Sequence, residues 1–128
     1  MRIYTSYFAK EKSLPSNLVP VCISRTAPAG TKAIPYPALA PTAGCLWDWK
    51  AFHDEAAYRE RYQWEILDKL DPHQVVKDLE ALSGGQDVVL MCWEKAGSFC
   101  HRYLDADWLR AAGYNAVEWG EMENIQLF

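Results

Sequence analysis

The segment from Asp87 to Trp93, with the sequence DVVLMCW, constrains the fold of this chain more than any other. Six of its residues follow one another without a charged side chain. A strand that is apolar on both of its faces is expected inside a parallel sheet, where other segments cover both sides. The segment therefore predicts a buried central strand.

Strand and helix patterns alternate along the rest of the chain. Asp71-Pro72 is typical of a helix N-cap followed by proline at the first helical position, and Ser83-Gly84-Gly85 is typical of a helix end. Such alternation predicts an α/β fold: a mostly parallel sheet of four to five strands with helices packed against it in two or three layers. The expected strands cover residues 3–8, 18–24, 87–93 and 115–119, and the expected helices cover 54–70, 72–83 and 100–112.

The length of 128 residues fits one domain over residues 1–128. Four prolines and two glycines between Thr26 and Gly44 predict a long irregular loop over residues 26–44. Residues 121–128 form a short tail that ends in the apolar segment Ile125 to Phe128.

Composition excludes some classes of protein. The net charge of −4 is not the strongly basic footprint of a dedicated nucleic-acid-binding domain. The first residues, MRIYTSYFAKEK, lack the apolar region of a secretory signal, and no apolar run approaches the roughly 20 residues of a membrane helix. We therefore expect a cytoplasmic protein with no membrane partner, and we expect its four cysteines to be reduced thiols.

The predicted parallel sheet indicates where a ligand would bind, because ligands of such sheets lie beyond the carboxyl ends of the strands. Ser24 and Arg25 follow the second strand, and Cys100-His101-Arg102 opens the helix that follows the strand 87–93. Helix N-termini and arginines both favour anions. We expect Arg25, Arg102, Ser24 and Tyr7 to bind a small anionic, nucleotide-like ligand, with a nucleic acid as an alternative partner.

Three residues near this site have side chains suited to catalysis. A helix start stabilises a thiolate at Cys100, His101 is a general-base candidate, and so is Glu94 at the strand end. Each also has a purely structural interpretation: Cys100 and His101 as packing residues, and Glu94 as the partner of Lys95 or Arg102 in a salt bridge. Arg102 has one as well, as the partner of Asp105 or Glu94. Cys92, inside the apolar strand, is expected to be a core residue.

A metal site is not favoured by the cysteine spacing. Seven residues separate Cys92 from Cys100, whereas structural zinc sites usually pair cysteines two to four residues apart, and no second pair exists. No phosphate-binding glycine motif is present either. We therefore expect no metal and no cofactor.

Several segments together resemble the domain-of-unknown-function family 488 (DUF488). The most specific is the strand–Cys–Glu–loop–Cys-His-Arg block, followed by a helix with Trp108-Leu109. The resemblance covers nearly the whole chain and implies a small α/β domain of bacterial or phage origin, in a family without an established activity. The segments that carry it are Ile3–Phe8, Ile23–Arg25, Leu67–Pro72, Val89–Lys95 and Phe99–Arg102.

One position departs from the family pattern. Many DUF488 members carry an aspartate two residues before the arginine of the second strand, in a D-x-R pattern, whereas this chain has Ile23-Ser24-Arg25. The resemblance therefore supports the fold and the location of the site without supplying a reaction. The expected function is binding of the anionic ligand, with catalysis left open. A ligand-sequestering or protein-interaction module is the alternative.

The end of the chain offers a hint of a protein partner. Gln126-Leu127-Phe128 resembles the end of the Q-L-x-L-F peptides that bind bacterial sliding clamps, with one residue of the pattern missing. Apolar tails also dock on their own domain, so both interpretations stand.

Overall fold

The fold was analysed in a computed structural model, which describes residues 1–95 and 97–120. The described strands form one parallel sheet in the order β3-β2-β4-β1-β5. These strands are β1 (Ile3–Tyr7), β2 (Val19–Cys22), β3 (Ile34–Pro35), β4 (Val88–Cys92) and β5 (Ala116–Glu118). The α-helices are α1 (Ala43–Phe52), α2 (Glu55–Glu65), α3 (Pro72–Ser83) and α4 (His101–Ala111).

Strand β4 occupies the centre of this sheet, as its apolar sequence predicts. It pairs with β1 on one side, from Val88 opposite Ile3 to Cys92 opposite Tyr7, and with β2 on the other. All five of its residues are buried. The predicted central strand is confirmed.

The two faces of the sheet are covered differently. In β4, Val88 and Leu90 pack in the larger core, whereas Val89 and Met91 pack in a smaller one, because successive side chains of a strand point to opposite faces. All four α-helices contribute buried residues to the larger core. The smaller core is closed instead by residues of the loops and of a 3-10 helix, Phe8–Ser13.

The ends of the helices follow from local sequence. The Asp71 carboxylate accepts a hydrogen bond from the backbone N–H of His73, which caps α3, and Pro72 occupies the first turn. The helix ends at Gly84, whose φ of 65° is in the left-handed region that glycine adopts without a steric penalty. These boundaries confirm the helix predicted over residues 72–83.

Two expected segments differ from the structure. The helix expected over residues 54–70 ends at Glu65, because Ile66 leaves helical geometry and a separate 3-10 turn, Leu67–Lys69, follows it. The segment 26–44 is less irregular than expected, since Ile34–Pro35 pairs with β2 and α1 begins at Ala43. The Thr42 side chain caps that helix by accepting the Cys45 N–H at 3.1 Å.

The α/β fold with a parallel sheet is therefore confirmed. No helix within the described residues has the length and apolar character needed to span a bilayer. The tail at 121–128, with its proposed sliding-clamp contact, lies outside the described residues.

Candidate functional site

A cleft of about 360 Å³ opens at the carboxyl ends of β2 and β4. Clefts of roughly 300–1,000 Å³ are typical of small-molecule sites, and strand ends of α/β sheets are their usual place. The wall comes from the residues after β2, the end of β4, helices α1 and α2, and the start of α4. Its lining residues are Ser24, Arg25, Thr26, Pro41, Leu46, Trp49, Lys50, Tyr58, Cys92, Trp93, Glu94, Phe99, Cys100 and His101.

Aromatic rings form one side of the cleft. Trp49 of α1 lies 4.8 Å from Phe99 between ring centroids, and Tyr58 of α2 meets Phe99 edge to face at 5.0 Å. Across the cleft, the Trp93 ring is half exposed and its indole N–H donates to the Thr26 carbonyl at 3.0 Å. Such flat rings suit the face of a planar ligand.

The charged side chains of the lining have a net positive charge. Arg25 and Lys50 are exposed cations, whereas Glu94 is the one carboxylate among the lining residues. Within residues 1–95 and 97–120, the Arg25 side chain makes one hydrogen bond, from Nη1 to the Pro41 carbonyl at 3.3 Å, and its other donors are open to a ligand. Two cations facing one anion favour a negatively charged ligand.

Ser24 adds a polar atom to the same wall. Its Oγ is buried and has no hydrogen-bond partner among the described residues. A buried hydroxyl without a partner costs free energy, and a ligand atom within reach would remove that cost.

Cys92, Cys100 and His101 meet at the inner wall of the cleft. The two sulfur atoms are in contact, and the structure pairs the two cysteines as a disulfide. The expectation of reduced thiols is therefore wrong for this pair, because the tertiary structure brings the end of β4 and the start of α4 together. Cys22 and Cys45 are free and buried.

The orientation of the His101 ring is fixed by one hydrogen bond. Its Nε2 lies 2.7 Å from the carbonyl oxygen of Ile23, and a carbonyl only accepts, so Nε2 carries the proton. Nδ1 is then unprotonated in the neutral ring, and it lies 3.7 Å from the Cys100 sulfur. Burial lowers the pKa of His101 to about 4, so the ring is neutral at physiological pH.

Arg102 lies behind this wall and is completely buried. Its guanidinium forms a bidentate pair with Glu118 of β5, with Nε donating to Oε1 at 3.0 Å and Nη2 to Oε2 at 2.8 Å. The Thr5 hydroxyl donates to Glu118 Oε1 at 2.6 Å. Arg102 is not among the residues that line the cleft, and its charge is neutralised within the protein.

The remaining donors of Arg102 hold the strand end. Nη1 donates to the Cys92 sulfur at 3.0 Å and to the backbone carbonyl of Glu94. Tyr7, another expected ligand residue, contributes its ring to this buried group, 5.6 Å from the guanidinium carbon, and does not line the cleft. The structure thus gathers Ser24, Arg25, Glu94, Cys100 and His101 at the cleft and places Arg102 and Tyr7 behind it.

A second buried polar pair lies beneath the aromatic side. The Tyr62 hydroxyl is 2.6 Å from the Leu39 carbonyl and 2.7 Å from Oδ1 of Asp105. One hydroxyl proton serves only one of these acceptors, so the other contact needs a proton on the carboxyl group. Burial raises the pKa of Asp105 well above its usual range, which agrees with a protonated carboxyl.

Comparison with known proteins identifies the family. A family model described as the active DUF488-N3 subclade, DUF488-N3a, matches residues 4–113. The chain belongs to this family. No curated protein and no solved structure matches the chain.

The segment that carries the DUF488 likeness most specifically is also the inner wall of the cleft in this DUF488-N3a domain. Cys92 ends β4 and Glu94 lies two residues beyond it, whereas Cys100 is the N-cap of α4 and His101 and Arg102 are its first residues. Cys92, Glu94, Cys100 and His101 line the cleft. Arg102 holds the end of the strand in place from behind, through its hydrogen bonds to Cys92 and to the Glu94 backbone.

Sequence reasoning missed the residues of α1 and the partner of Arg102. Trp49 and Lys50 follow a proline-rich segment, and the Thr42 cap was the one local signal that a helix begins there. Glu118 carries no signal in the sequence, because its pairing depends on β5 lying beside β1.

Proposed function

We propose that this DUF488-N3a domain binds a small anionic, nucleotide-like or nucleic-acid-derived ligand in the strand-end cleft. The observation that carries the proposal is the combination of flat aromatic rings with the exposed cations Arg25 and Lys50 around a cleft of about 360 Å³. Rings suit a planar base, and cations suit a phosphate or carboxylate.

The unpartnered Ser24 hydroxyl supports the same proposal, since it offers a hydrogen bond beside Arg25. In this proposal Arg25 binds the ligand, whereas Arg102 has a structural role behind the cleft. We propose a cytoplasmic setting, in a bacterium or a phage-infected cell, where Cys22 and Cys45 stay reduced and the Cys92–Cys100 pair is open to reduction.

Conversion of the ligand is favoured over simple capture by the description of the matched subclade as active. In the reduced protein, the Cys100 thiol faces the unprotonated Nδ1 of His101, the arrangement in which a histidine accepts a thiol proton. The exposed Glu94 carboxylate on the same cleft is a second general-base candidate. A sequestering domain would bind the same ligand and release it unchanged.

The test is a ligand screen with matched charge variants. Mass spectrometry first identifies small molecules that co-purify with the protein, and thermal unfolding then ranks nucleoside phosphates and short oligonucleotides. A ligand at 100 times its Kd should stabilise the wild type by about 2.7 kcal/mol. Arg25→Gln/Lys50→Gln should lose that stabilisation, and Lys10→Gln/Lys77→Gln, two exposed lysines outside the cleft lining, should keep it.

Two tryptophans of α1 give a matched test of stacking. Trp49 lines the cleft, whereas Trp47 is 74% exposed and does not. Trp49→Ala should weaken binding by about 1–3 kcal/mol if a base stacks there, and Trp47→Ala should leave it unchanged. Equal stabilisation of wild type and both cleft variants across the panel would refute the proposal.

A further inference from the structure

Three atoms with the chemistry of metal ligands converge at the inner wall of the cleft. The sulfurs of Cys92 and Cys100 and a ring nitrogen of His101 all lie within 4.8 Å of one another, and all three residues are buried. We propose that, when the two cysteines are reduced, these atoms bind one Zn²⁺ ion, with the fourth position open to the cleft.

The distance between Nδ1 and a sulfur fits such an ion. With bonds of about 2.3 Å to sulfur and about 2.05 Å to nitrogen at a tetrahedral angle, a sulfur and a nitrogen ligand lie about 3.6 Å apart. The Cys100 sulfur and His101 Nδ1 are 3.7 Å apart. These two neighbouring residues therefore already have the spacing of two ligands of one zinc ion.

The backbone separation of the cysteines supports the same conclusion. Their Cα atoms are 7.7 Å apart. Ordinary disulfides span about 4.4–6.8 Å, most often about 5.5–6 Å. Two sulfurs sharing a tetrahedral zinc lie about 3.8 Å apart, about 1.7 Å more than in a disulfide, so cysteines that share an ion can stand farther apart than disulfide partners. A Cα separation beyond the ordinary disulfide range is compatible with a bridging ion.

The histidine is oriented as zinc-bound histidines usually are. Ligating histidines donate the proton of the other ring nitrogen to a carbonyl or carboxylate, which fixes the tautomer. Here Nε2–H donates to the Ile23 carbonyl at 2.7 Å, and the lone pair of Nδ1 is on the side of the sulfurs. The carbonyl belongs to the residue after β2, so the core of the sheet holds the ring.

The surroundings also favour the thiolate forms that a metal requires. Arg102 donates from Nη1 to the Cys92 sulfur at 3.0 Å, and Cys100 stands at the N-terminus of α4. Glu118 neutralises the charge of Arg102. The two negative charges of the thiolates therefore balance the two positive charges of one Zn²⁺ ion. Zinc is favoured over harder ions because the ligands are two thiolates and one imidazole.

The open fourth position distinguishes this site from a structural zinc site. Structural sites usually have four protein ligands, and catalytic ones have three plus a water or substrate. All three ligand residues line the cleft beside Ser24, so a water or an anionic ligand atom has access. In the zinc-bound protein Cys100 is a metal ligand rather than a free nucleophile. This part of the inference rests on the proposed ligand cleft, whereas metal binding does not.

The test begins with the wild-type chain and Co²⁺ as a spectroscopic probe. A phosphine reductant and one water molecule convert the disulfide to two thiols and a phosphine oxide, and the ion then displaces the two thiol protons. One Co²⁺ per chain should bind with the absorption of tetrahedral thiolate coordination, and Zn²⁺ should displace it. A reduced protein without that spectrum would overturn the proposal.

Cysteine variants locate the site. Cys92→Ala and Cys100→Ala should each weaken Co²⁺ binding more than about 100-fold. Loss of a residue that only hydrogen-bonds to a metal ligand already lowers metal affinity about 10- to 100-fold. Cys22→Ala and Cys45→Ala, at the free cysteines, are the controls and should bind normally. Loss of binding in the controls alone would contradict the assignment.

A labelling experiment on the wild type decides the question if a variant fails to fold. Zn²⁺ should slow alkylation of Cys92 and Cys100 at least 10-fold, read by peptide mass spectrometry, and equal rates would overturn the proposal.

The Arg25→Gln/Lys50→Gln variant should still bind Co²⁺. A variant with normal metal binding and no ligand binding, or the reverse, separates failure of this proposal from failure of the proposed function.

Discussion

Arg25 and Arg102 both follow the end of a strand, yet the structure uses them in opposite ways. Arg25 is exposed at the mouth of the cleft and contacts one backbone carbonyl. Arg102 is completely buried and directs its guanidinium to Glu118, Tyr103, Cys92 and the Glu94 backbone. Similar positions in the sequence therefore led to one arginine that is free for a ligand and one that holds the site together.

The difference between the two arginines shows which charged groups of this protein are exposed to a ligand and which are paired inside it. A buried guanidinium needs a partner, because an unpaired charge in the interior costs several kcal/mol, and Glu118 supplies it. The open cleft has no such requirement, since water solvates Arg25 and Lys50. The buried polar groups determine the shape of the site, and the exposed ones determine what it attracts.

The largest expected effect comes from breaking the buried pair. Arg102→Ala leaves the Glu118 carboxylate buried without its cation, so it should lower the free energy of unfolding by about 3–5 kcal/mol. Arg25→Ala, at the exposed arginine, should change it by no more than about 0.5 kcal/mol. Urea denaturation of both variants measures the contrast, and equal losses would show that the two arginines do not differ as the structure indicates.

A smaller effect should follow when both charges are removed. Arg102→Met/Glu118→Leu removes both charges of the buried pair, and apolar replacements of buried pairs are often neutral or stabilising. The double variant should therefore be more stable than Arg102→Met alone by about 2 kcal/mol or more. A double variant no more stable than the single one would mean that the arginine acts mainly through its contacts with Cys92 and Glu94.

A pH-dependent effect concerns the buried Asp105. Its raised pKa means that the folded protein keeps a proton that the unfolded chain loses near pH 4, so stability falls by up to about 1.4 kcal/mol per pH unit above that point. Asparagine does not titrate and still donates to the Tyr62 hydroxyl. Asp105→Asn should therefore gain stability relative to the wild type as pH rises.

Unfolding free energies of both proteins between pH 5 and pH 8 provide the check. Asp107→Asn, at an exposed aspartate of the same helix, is the matched control and should show no comparable trend. A pH-independent difference between Asp105→Asn and the wild type would mean that the Asp105 carboxyl is ionised in the folded protein.

The sequence determined most of the fold because its signals are local. The apolar residues of the segment 87–93 favour a strand that is buried on both faces. Asp71-Pro72 and Gly84 determine the two ends of α3. The same reasoning pointed to the ends of β2 and β4, where the cleft lies. It failed for α1, whose Trp49 and Lys50 follow a proline-rich segment with one weak capping signal.

The roles of individual site residues were decided only by the tertiary structure. Spacing along the chain argued against any cluster at Cys92 and Cys100, but a strand end and a helix start brought both sulfurs against His101. Arg102 carries the same charge in every context, and only the pairing of β5 with β1 puts Glu118 within reach of it. Local sequence specifies elements through backbone and burial preferences, whereas ligand sets and ion pairs depend on distances between segments far apart in the chain.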